Sequence, residues 1–294
     1  MALRSLSLCA GIGGLDLGLR RWLECVCYVE REAFAASVLV GRMEEAALDR
    51  APVWSDVGTF DARPWRGVVD CVVAGYPCQP FSQAGKRLGA ADPRHLWPHV
   101  LRVLLDSDAR IGFFENVRGH LKFGFDEVRA DLERHGFRVE HDLFTAEQVG
   151  APHKRARLFI LAYADGLGRT FKRGGSLLDD LGPARGDDAD GPRGPSASVG
   201  DPDLARLEGL CPDRGDPDER HAWPPSMPPG PDDYAEWARV VDQWPCLEPA
   251  LCRVAHGVPD RVDRLRALGN AVHPDQAALA FSTLVERALS HEAP

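Results

Sequence analysis

The strongest constraint on the fold is an alternation between short apolar runs and amphipathic stretches throughout residues 1–163. Six runs have the length and composition of buried strands, at residues 6–9, 26–30, 69–75, 111–115, 139–143 and 158–163. Helical patterns separate most of them, which predicts a mostly parallel sheet flanked by helices. Only about a dozen residues join the last two runs, too few for a helical crossover, so we expect an antiparallel hairpin at the sheet edge.

The composition changes at residue 165. Residues 165–235 contain 12 Gly and 11 Pro, with 15 Asp and Glu against 8 Lys and Arg, and they show no sustained helical or strand period. Such a composition is typical of irregular loops or disorder. We therefore expect a sheet domain over 1–164, an irregular lobe over 165–250, and a return to the first domain over 251–294 through a closing helix at 270–289.

Charge and cysteine content limit the class of protein. The irregular segment accounts for −7 of the formal net charge of −9, so a local basic cleft elsewhere is compatible with the composition. No stretch approaches the roughly 18 apolar residues of a membrane span, and a cytoplasmic location is expected. The eight cysteines lack paired CxxC spacing, which argues against a zinc site or a disulfide framework.

Two chemically active side chains are expected at neighbouring strand ends. Cys78 lies in the segment Tyr76-Pro77-Cys78-Gln79, directly after an apolar run, and Glu115 ends the next apolar run. Open α/β sheets carry their active sites at the carboxyl ends of their strands. A thiol there is suited to add to an electron-poor ring carbon, and a buried carboxylic acid can protonate the ring. Taken alone, Cys78 could be a buried small hydrophobe, the commoner fate of a free cysteine, and Glu115 could be an ordinary surface carboxylate.

A glycine-rich turn follows the first predicted strand, in the segment Cys9-Ala10-Gly11-Ile12-Gly13-Gly14. Such a turn lets the backbone approach a ligand closely, although it also serves many plain strand–helix connections. Glu30 ends the second strand, where a carboxylate can accept hydrogen bonds from ribose hydroxyls. Asp56 ends a third short strand, where it either accepts from an adenine amino group or caps a turn. Together these residues predict a cofactor that contains adenosine.

Two further polar segments lie near the predicted last strand and the closing helix. Strand periodicity predicts that Arg155 and Arg157 share one face, from which two guanidinium groups can hold phosphate or carbonyl oxygens. On their own they could also be a solvated face. Gly269 and Asn270 open the closing helix and could be a simple turn and cap.

These segments, in their order and spacing, closely resemble the motifs of the cytosine-C5 DNA methyltransferases. The resemblance covers residues 1–163 and about 256–290, and it rests on the glycine turn, Pro77-Cys78-Gln79, Glu115-Asn116-Val117, Lys154-Arg155-Ala156-Arg157 and Gly269-Asn270. It implies a Rossmann-like class I methyltransferase fold with a small target-recognition lobe over 165–250. It also implies S-adenosyl-L-methionine as cofactor and a cytosine flipped out of duplex DNA.

The resemblance implies roles for individual residues. Cys78 would form a covalent adduct with cytosine C6 while Glu115 protonates N3, and Arg157 would contact the flipped base with support from Arg155. Glu30 would hold the ribose, Asp56 the adenine, and Asn270 the amino-acid portion of the cofactor. The expected cofactor-binding set is completed by Cys9, Ala10, Gly11, Ile12, Gly13, Gly14, Val57, Gly75 and Pro77.

The biological setting stays open at this stage. A tRNA-modifying branch shares these motifs, and a nucleic-acid-binding relative without activity would keep them too. For a DNA enzyme we expect a monomer that joins the nucleoid when on DNA, with a cognate restriction endonuclease as a candidate partner. His153 stands where the family usually has glutamine, and the acidic lobe is an unusual reader of DNA.

Overall fold

The computed structural model describes residues 2–77, 96–167, 239 and 269–292. Its strands are β1 (Leu3–Leu8), β2 (Leu23–Val29), β3 (Val53–Trp54), β4 (Cys71–Ala74), β5 (Ile111–Val117), β6 (Arg138–Phe144) and β7 (Arg157–Tyr163). Its α-helices are α1 (Gly14–Leu19), α2 (Ala33–Glu44), α3 (Trp97–Asp106), α4 (Phe125–Arg134) and α5 (Pro274–Glu292). Short 3₁₀ turns occupy Arg63–Trp65, Arg118–Leu121 and Ala146–Val149.

The strands form one sheet in the order β3-β2-β1-β4-β5-β7-β6. The first five pair in parallel, and β7 pairs antiparallel with both β5 and β6. The predicted mostly parallel sheet and the edge hairpin are therefore confirmed. Because β7 enters between β5 and β6, the hairpin extends the sheet on the side of β5.

The central strands are apolar on both faces, which explains their nearly continuous hydrophobic sequences. In β4, Cys71 and Val73 face a core with α1 and α5, whereas Val72 and Ala74 face a core with α3 and α4. A third, smaller cluster joins α2 to β2. Both faces of the sheet are thus covered by helices. An active site can therefore form only where polar residues follow the strand ends.

Three predictions of local structure that bear on the site are wrong. The strand that carries Glu115 continues to Val117, because β7 supplies an antiparallel partner opposite residues 111–117. Arg155 lies outside β7 with a left-handed φ of 37°, so strand periodicity does not relate it to Arg157. The closing helix begins at Pro274 and not at residue 270; a proline at the first position fits a helix start because its missing N–H has no intrahelical partner there.

The closing helix α5 packs against α1, and glycines on α1 permit that contact. A Cβ atom at Gly14 would lie 2.3 Å from the Val272 carbonyl oxygen, and one at Gly18 would lie 2.3 Å from that of Pro274. Both distances are far below van der Waals contact, and both atoms belong to the backbone. The approach of α1 to α5 therefore requires residues without a side chain.

Replacement of Gly18 by alanine is expected to destabilise the protein. Alanine would favour the helix by about 1 kcal/mol, but the clash with a backbone carbonyl must displace α5, and overpacking of this kind costs about 1–3 kcal/mol or more. We expect a net loss in the free energy of unfolding, measured by urea denaturation. Gly119→Ala is the control, because no described atom lies within 4 Å of its Cβ position. A G18A protein as stable as the wild type would contradict this packing.

The proposed lobe over residues 165–250 and the helical pattern at 234–244 lie almost wholly outside the described residues. The three-part division of the chain therefore stays a prediction. Within the described ranges, no helix combines the length and apolarity needed to cross a membrane.

Candidate active site

The site lies where the chain reverses its direction of travel across the sheet. From β1 the chain adds β2 and β3 on one side, and then returns to place β4 and β5 on the other. The carboxyl ends of β1 and β4 are therefore adjacent, with connections that leave in opposite directions. Open α/β sheets bind their ligands in the crevice at such a switch point.

The glycine turn lies at the carboxyl end of β1. Gly11 and Gly13 have left-handed φ values of 56° and 81°, and the Gly13 amide donates to the Ala10 carbonyl at 2.9 Å. The Arg42 guanidinium donates to the Ile12 carbonyl from α2. No described atom lies within 4 Å of the Cβ position at Gly11. These hydrogen bonds fix the turn on the side of α2, while open space lies beside Gly11.

Glu30 comes directly after β2 and is tied to this turn. Its Oε2 accepts from the Gly11 amide at 2.7 Å, and its Oε1 accepts from the Glu32 amide at 2.7 Å. The side chain is buried, with 8% of the residue's surface exposed. Glu30, which was predicted to bind the ribose, therefore has a structural role, because its carboxylate fixes the glycine turn against the end of β2.

Asp56 and Val57 follow the short strand β3. Asp56 Oδ1 accepts from the Gly58 amide at 2.8 Å, which is the turn-capping role that the sequence left open. Val57 is buried, and its carbonyl accepts from Arg102 on α3 at 2.7 Å. The two residues lie next to the end of β2, because the amide of Glu30 donates to the carbonyl of Trp54.

Glu115 is a buried acid paired with an arginine. Only 7% of its surface is exposed, and its Oε1 lies 3.0 Å from Arg157 Nε on the neighbouring strand β7. Burial raises the pKa of Glu115 to about 7, although the positive charges of Arg157 and Arg155 act in the opposite direction. A carboxyl group with this pKa can carry a proton at neutral pH, which is what a general acid requires.

Gly75 connects the acid to the glycine turn. Its Cβ position lies 3.7 Å from Glu115 Oε2 and 3.8 Å from the carbonyl oxygen of Cys9, so the three residues meet at the ends of β1, β4 and β5. Burial and the negative charge of Glu30 raise the pKa of the Cys9 thiol to about 12. Cys9 is consequently protonated and unsuited to act as a nucleophile.

The predicted nucleophile, Cys78, lies outside the described residues, but the chain that leads to it is well defined. Pro77 is exposed beyond the end of β4, and Tyr76 before it is buried. The amide nitrogen of the Asn116 side chain donates to the Tyr76 carbonyl at 3.1 Å. The backbone that leads to Cys78 is thus held by the residue directly after Glu115.

Arg155 and Asn270 lie at the junction with the closing helix. The Arg155 guanidinium donates to the carbonyls of Gly269 and Ala271, just before the closing helix. Asn270 is exposed. Gln276 strengthens the junction, since its side-chain amide donates to the carbonyls of Phe144 at 2.8 Å and Arg155 at 3.0 Å.

Four residues of this region were given no role in the sequence analysis: Tyr76, Asn116, His120 and Gln276. Each is a polar side chain buried among apolar neighbours, with exposed fractions from 0 to 4%. Asn116 and Gln276 give a usable signal, because an amide inside an apolar strand or helix face must find hydrogen-bond partners. Tyr76 and His120 give none, since their contact joins residues 44 positions apart.

Comparison with known proteins shows which family the chain belongs to. The family model described as C-5 cytosine-specific DNA methylase matches residues 3–174, which is more than half of the chain. The chain belongs to this family. Members of the C-5 cytosine-specific DNA methylases use S-adenosylmethionine, so the family and the cofactor predicted from the motifs are confirmed.

Individual relatives match a little more than half of the chain. The type II methyltransferase M.NgoMIV of Neisseria gonorrhoeae is 33% identical over 181 residues, which cover 58% of this chain and 55% of that protein. The type II methyltransferase M.AplI of Arthrospira platensis is 31% identical over 162 residues, or 54% of this chain and 45% of that protein. The chain spans about half the length of these curated relatives.

A solved structure supports the fold. The crystal structure of the S. pombe Dnmt2 methyltransferase superposes with a TM-score of 0.54 and 18% identity, covering 97% of this chain and 99% of that one. At this identity the likeness concerns the fold alone. It agrees with the predicted Rossmann-like methyltransferase architecture.

Proposed function

We propose that the protein is a DNA (cytosine-5-)-methyltransferase that transfers a methyl group from S-adenosylmethionine to C5 of a flipped cytosine in a short duplex sequence. The observation that carries the proposal is the buried pair of Glu115 and Arg157 beside Gly75. Here an acid with a pKa of about 7 lies at the same sheet edge as the glycine turn and the backbone that leads to Cys78.

The residues at the end of β1 fit an adenosine-containing methyl donor. Gly11 lies beside open space, in a backbone conformation that residues with side chains rarely adopt. Glu30, in contact with the Gly11 amide, would accept from the ribose hydroxyls, and Asp56 and Val57 would border the adenine. Gly75 and Pro77 would line the passage to the base, with Asn270 near the amino-acid portion. The bound cofactor supplies an electrophilic methyl carbon.

The chain's own residues would activate the cytosine. The Cys78 thiolate adds to C6, forming a carbon–sulfur bond and moving electron density towards N3. Glu115 donates its proton to N3, which prevents a negative charge from accumulating in the ring. C5 thereby becomes nucleophilic. Once C5 carries the methyl group, water takes up the C5 proton, and the C5–C6 double bond forms again as the carbon–sulfur bond breaks. N3 returns its proton to Glu115, so neutral 5-methylcytosine and the Cys78 thiolate are released.

Arg157 has two roles in this scheme. Its Nε holds Glu115 in place at 3.0 Å, while its Nη1 donates to the carbonyl of Ala156. The same guanidinium lies at the beginning of β7, at the sheet edge where the flipped base would be bound. It would contact the carbonyl oxygen of the base or the adjoining phosphate, and Arg155 would keep the neighbouring loop in position.

The proposal is tested by methyl transfer from labelled S-adenosylmethionine to unmethylated plasmid DNA, with the modified cytosines located by conversion sequencing. We expect 5-methylcytosine in one repeated short sequence context. A parallel reaction with unmodified tRNA separates the two substrate classes. Methyl groups incorporated only into tRNA would identify RNA, and not DNA, as the substrate. No incorporation into either, with S-adenosylhomocysteine still bound, would favour a binding protein without activity.

Replacement of Glu30 by alanine is expected to weaken cofactor binding about 10- to 100-fold, because it removes a charged acceptor from the Gly11 amide as well as the ribose contact. Isothermal titration with S-adenosylhomocysteine measures the change. Glu44→Ala, an exposed acid at the end of α2, is the matched control. Unchanged affinity in E30A would exclude Glu30 from the cofactor site.

We also propose that the protein acts as a monomer in the cytoplasm, together with a cognate restriction endonuclease that its methylation would block. The type II designation of M.NgoMIV and M.AplI supports the last part. Resistance of the methylated plasmid to restriction enzymes that cut the modified sequence would identify the specificity of such a partner.

A further inference from the structure

Tyr76 is bound at two points by the segment that carries Glu115. Its backbone carbonyl accepts from the Asn116 side chain at 3.1 Å, and its hydroxyl shares a hydrogen bond of 3.1 Å with His120 Nε2. Asn116 lies near the end of β5, and His120 lies in the 3₁₀ turn Arg118–Leu121. Cys78 comes two residues after Tyr76. The contacts therefore link the chain of the nucleophile to the chain of the acid.

The surroundings of Tyr76 are aromatic. Its ring centroid lies 5.5 Å from that of Trp97, 6.4 Å from Phe114 and 5.8 Å from His120. Tyr76 and His120 are each only 4% exposed. Burying a hydroxyl in such a place is unfavourable unless it is hydrogen bonded, so packing alone would favour phenylalanine. The bond to His120 is the feature that a phenylalanine could not supply.

The chain that follows the segment 78–95 starts from the same aromatic cluster around Tyr76. Trp97, two residues after this segment, starts α3, and its Nε1 donates to Asp131 Oδ2 on α4 at 2.9 Å. Tyr76 and Trp97, which flank the segment, are thus in ring contact and are each hydrogen bonded to a different element. This arrangement fixes the positions of the described residues on either side of the segment that contains Cys78.

We propose that Tyr76 and His120 are positioning residues for the nucleophile. Their hydrogen bond fixes the Tyr76-Pro77 backbone against the end of β5 and so sets the approach of Cys78 to the ring that Glu115 protonates. The inference rests on the proposed function, since it assumes that Cys78 attacks the base. Its physical basis is that a displacement of about 1 Å between reacting groups can lower a rate about 100-fold.

The test measures how fast the whole 294-residue chain forms a denaturant-stable complex with duplex DNA that carries 5-fluorocytosine in its recognition sequence. Tyr76→Phe and His120→Phe each remove the hydrogen bond between the two side chains while keeping an aromatic ring. Each substitution should lower the rate of complex formation about tenfold. Because both remove the same bond, the double variant should be no slower than the slower single variant. His120→Gln, whose amide can reach a similar position, should recover most of the lost rate.

Two readouts separate positioning from general damage to the fold. Affinity for S-adenosylhomocysteine and the melting temperature should change far less than the rate. Tyr28→Phe is the matched control, because it removes another buried tyrosine hydroxyl, bonded to the Asp49 carbonyl at 3.3 Å and distant in the chain from Cys78. Its rate of complex formation should equal that of the wild type.

Three results would overturn the assignment: wild-type rates in both single variants, effects that multiply in the double variant, or an equal loss in Y28F. Failure of the proposed function gives a different pattern. In that case the wild-type protein itself would form no complex with the fluorinated DNA.

Discussion

Replacement of Cys78 by alanine is expected to abolish methyl transfer and to leave the binding of S-adenosylhomocysteine unchanged. The thiolate is the group that adds to C6 in the proposed reaction, and without this addition C5 is not nucleophilic enough to accept a methyl group. The Cys9 thiol, at the same sheet edge, cannot replace it, because burial and the negative charge of Glu30 raise the pKa of Cys9 to about 12. The measurement is incorporation of labelled methyl groups into the plasmid, with titration of the cofactor product alongside.

Cys71→Ala provides a matched control at the opposite end of β4. Cys71 is fully buried, and burial raises the pKa of its thiol well above the usual range, so its removal should cost some stability but little activity. A denaturant-stable complex with 5-fluorocytosine DNA should form in C71A and be absent in C78A. Methyl transfer retained by C78A would remove the covalent mechanism and, with it, the role assigned to Cys78.

The strand ends were predictable because the pattern that marks a buried parallel strand also marks where it ends. Glu30 follows β2 directly, the glycine turn follows β1, and Gly75 follows β4, as the sequence indicated. Since parallel strands end at the same edge, a plausible site could be assembled without coordinates. The prediction depended on chain order and strand direction, which local sequence largely determines.

The supporting contacts were not predictable in the same way. Glu115 is buried because β7 pairs with β5 beyond it, and this pairing joins residues 40 or more positions apart. Arg155 adopts a left-handed backbone that brings its guanidinium to the carbonyls of Gly269 and Ala271, more than 110 residues later. Local periodicity places such residues on a strand or helix face, whereas tertiary contacts decide which groups they finally bind.

Glu115 and Arg157 illustrate the difference between what local sequence predicts and what tertiary contacts determine. From sequence alone, Glu115 could have been an exposed carboxylate with an ordinary pKa, and Arg157 a solvated surface charge. Burial and pairing across β5 and β7 give the two residues a joint function, in which the low polarity of the site raises the pKa of the acid while the arginine keeps it in place. The resulting pKa near neutrality is a property of the fold.

Replacement of Glu115 by glutamine is expected to lower the rate of methyl transfer about 100- to 10,000-fold, the usual contribution of general acid catalysis. Glutamine keeps the size of the side chain and can still accept from Arg157, but it has no acidic proton to donate to N3. Single-turnover measurement of methyl transfer gives the rate, and titration with S-adenosylhomocysteine should show little change. Glu133→Gln, an exposed acid paired with Arg129 on α4, is the control.

The pH dependence gives an independent test of the same residue. Because the pKa of Glu115 is raised to about 7, the protonated fraction that acts as the acid decreases as the pH increases through that value. In the wild type, kcat/KM should therefore fall on the alkaline side of about pH 7, and in E115Q this fall should be absent, since glutamine does not titrate. An equal loss of rate and cofactor affinity in E115Q, or an alkaline limb that persists in it, would assign the proton donor to another group.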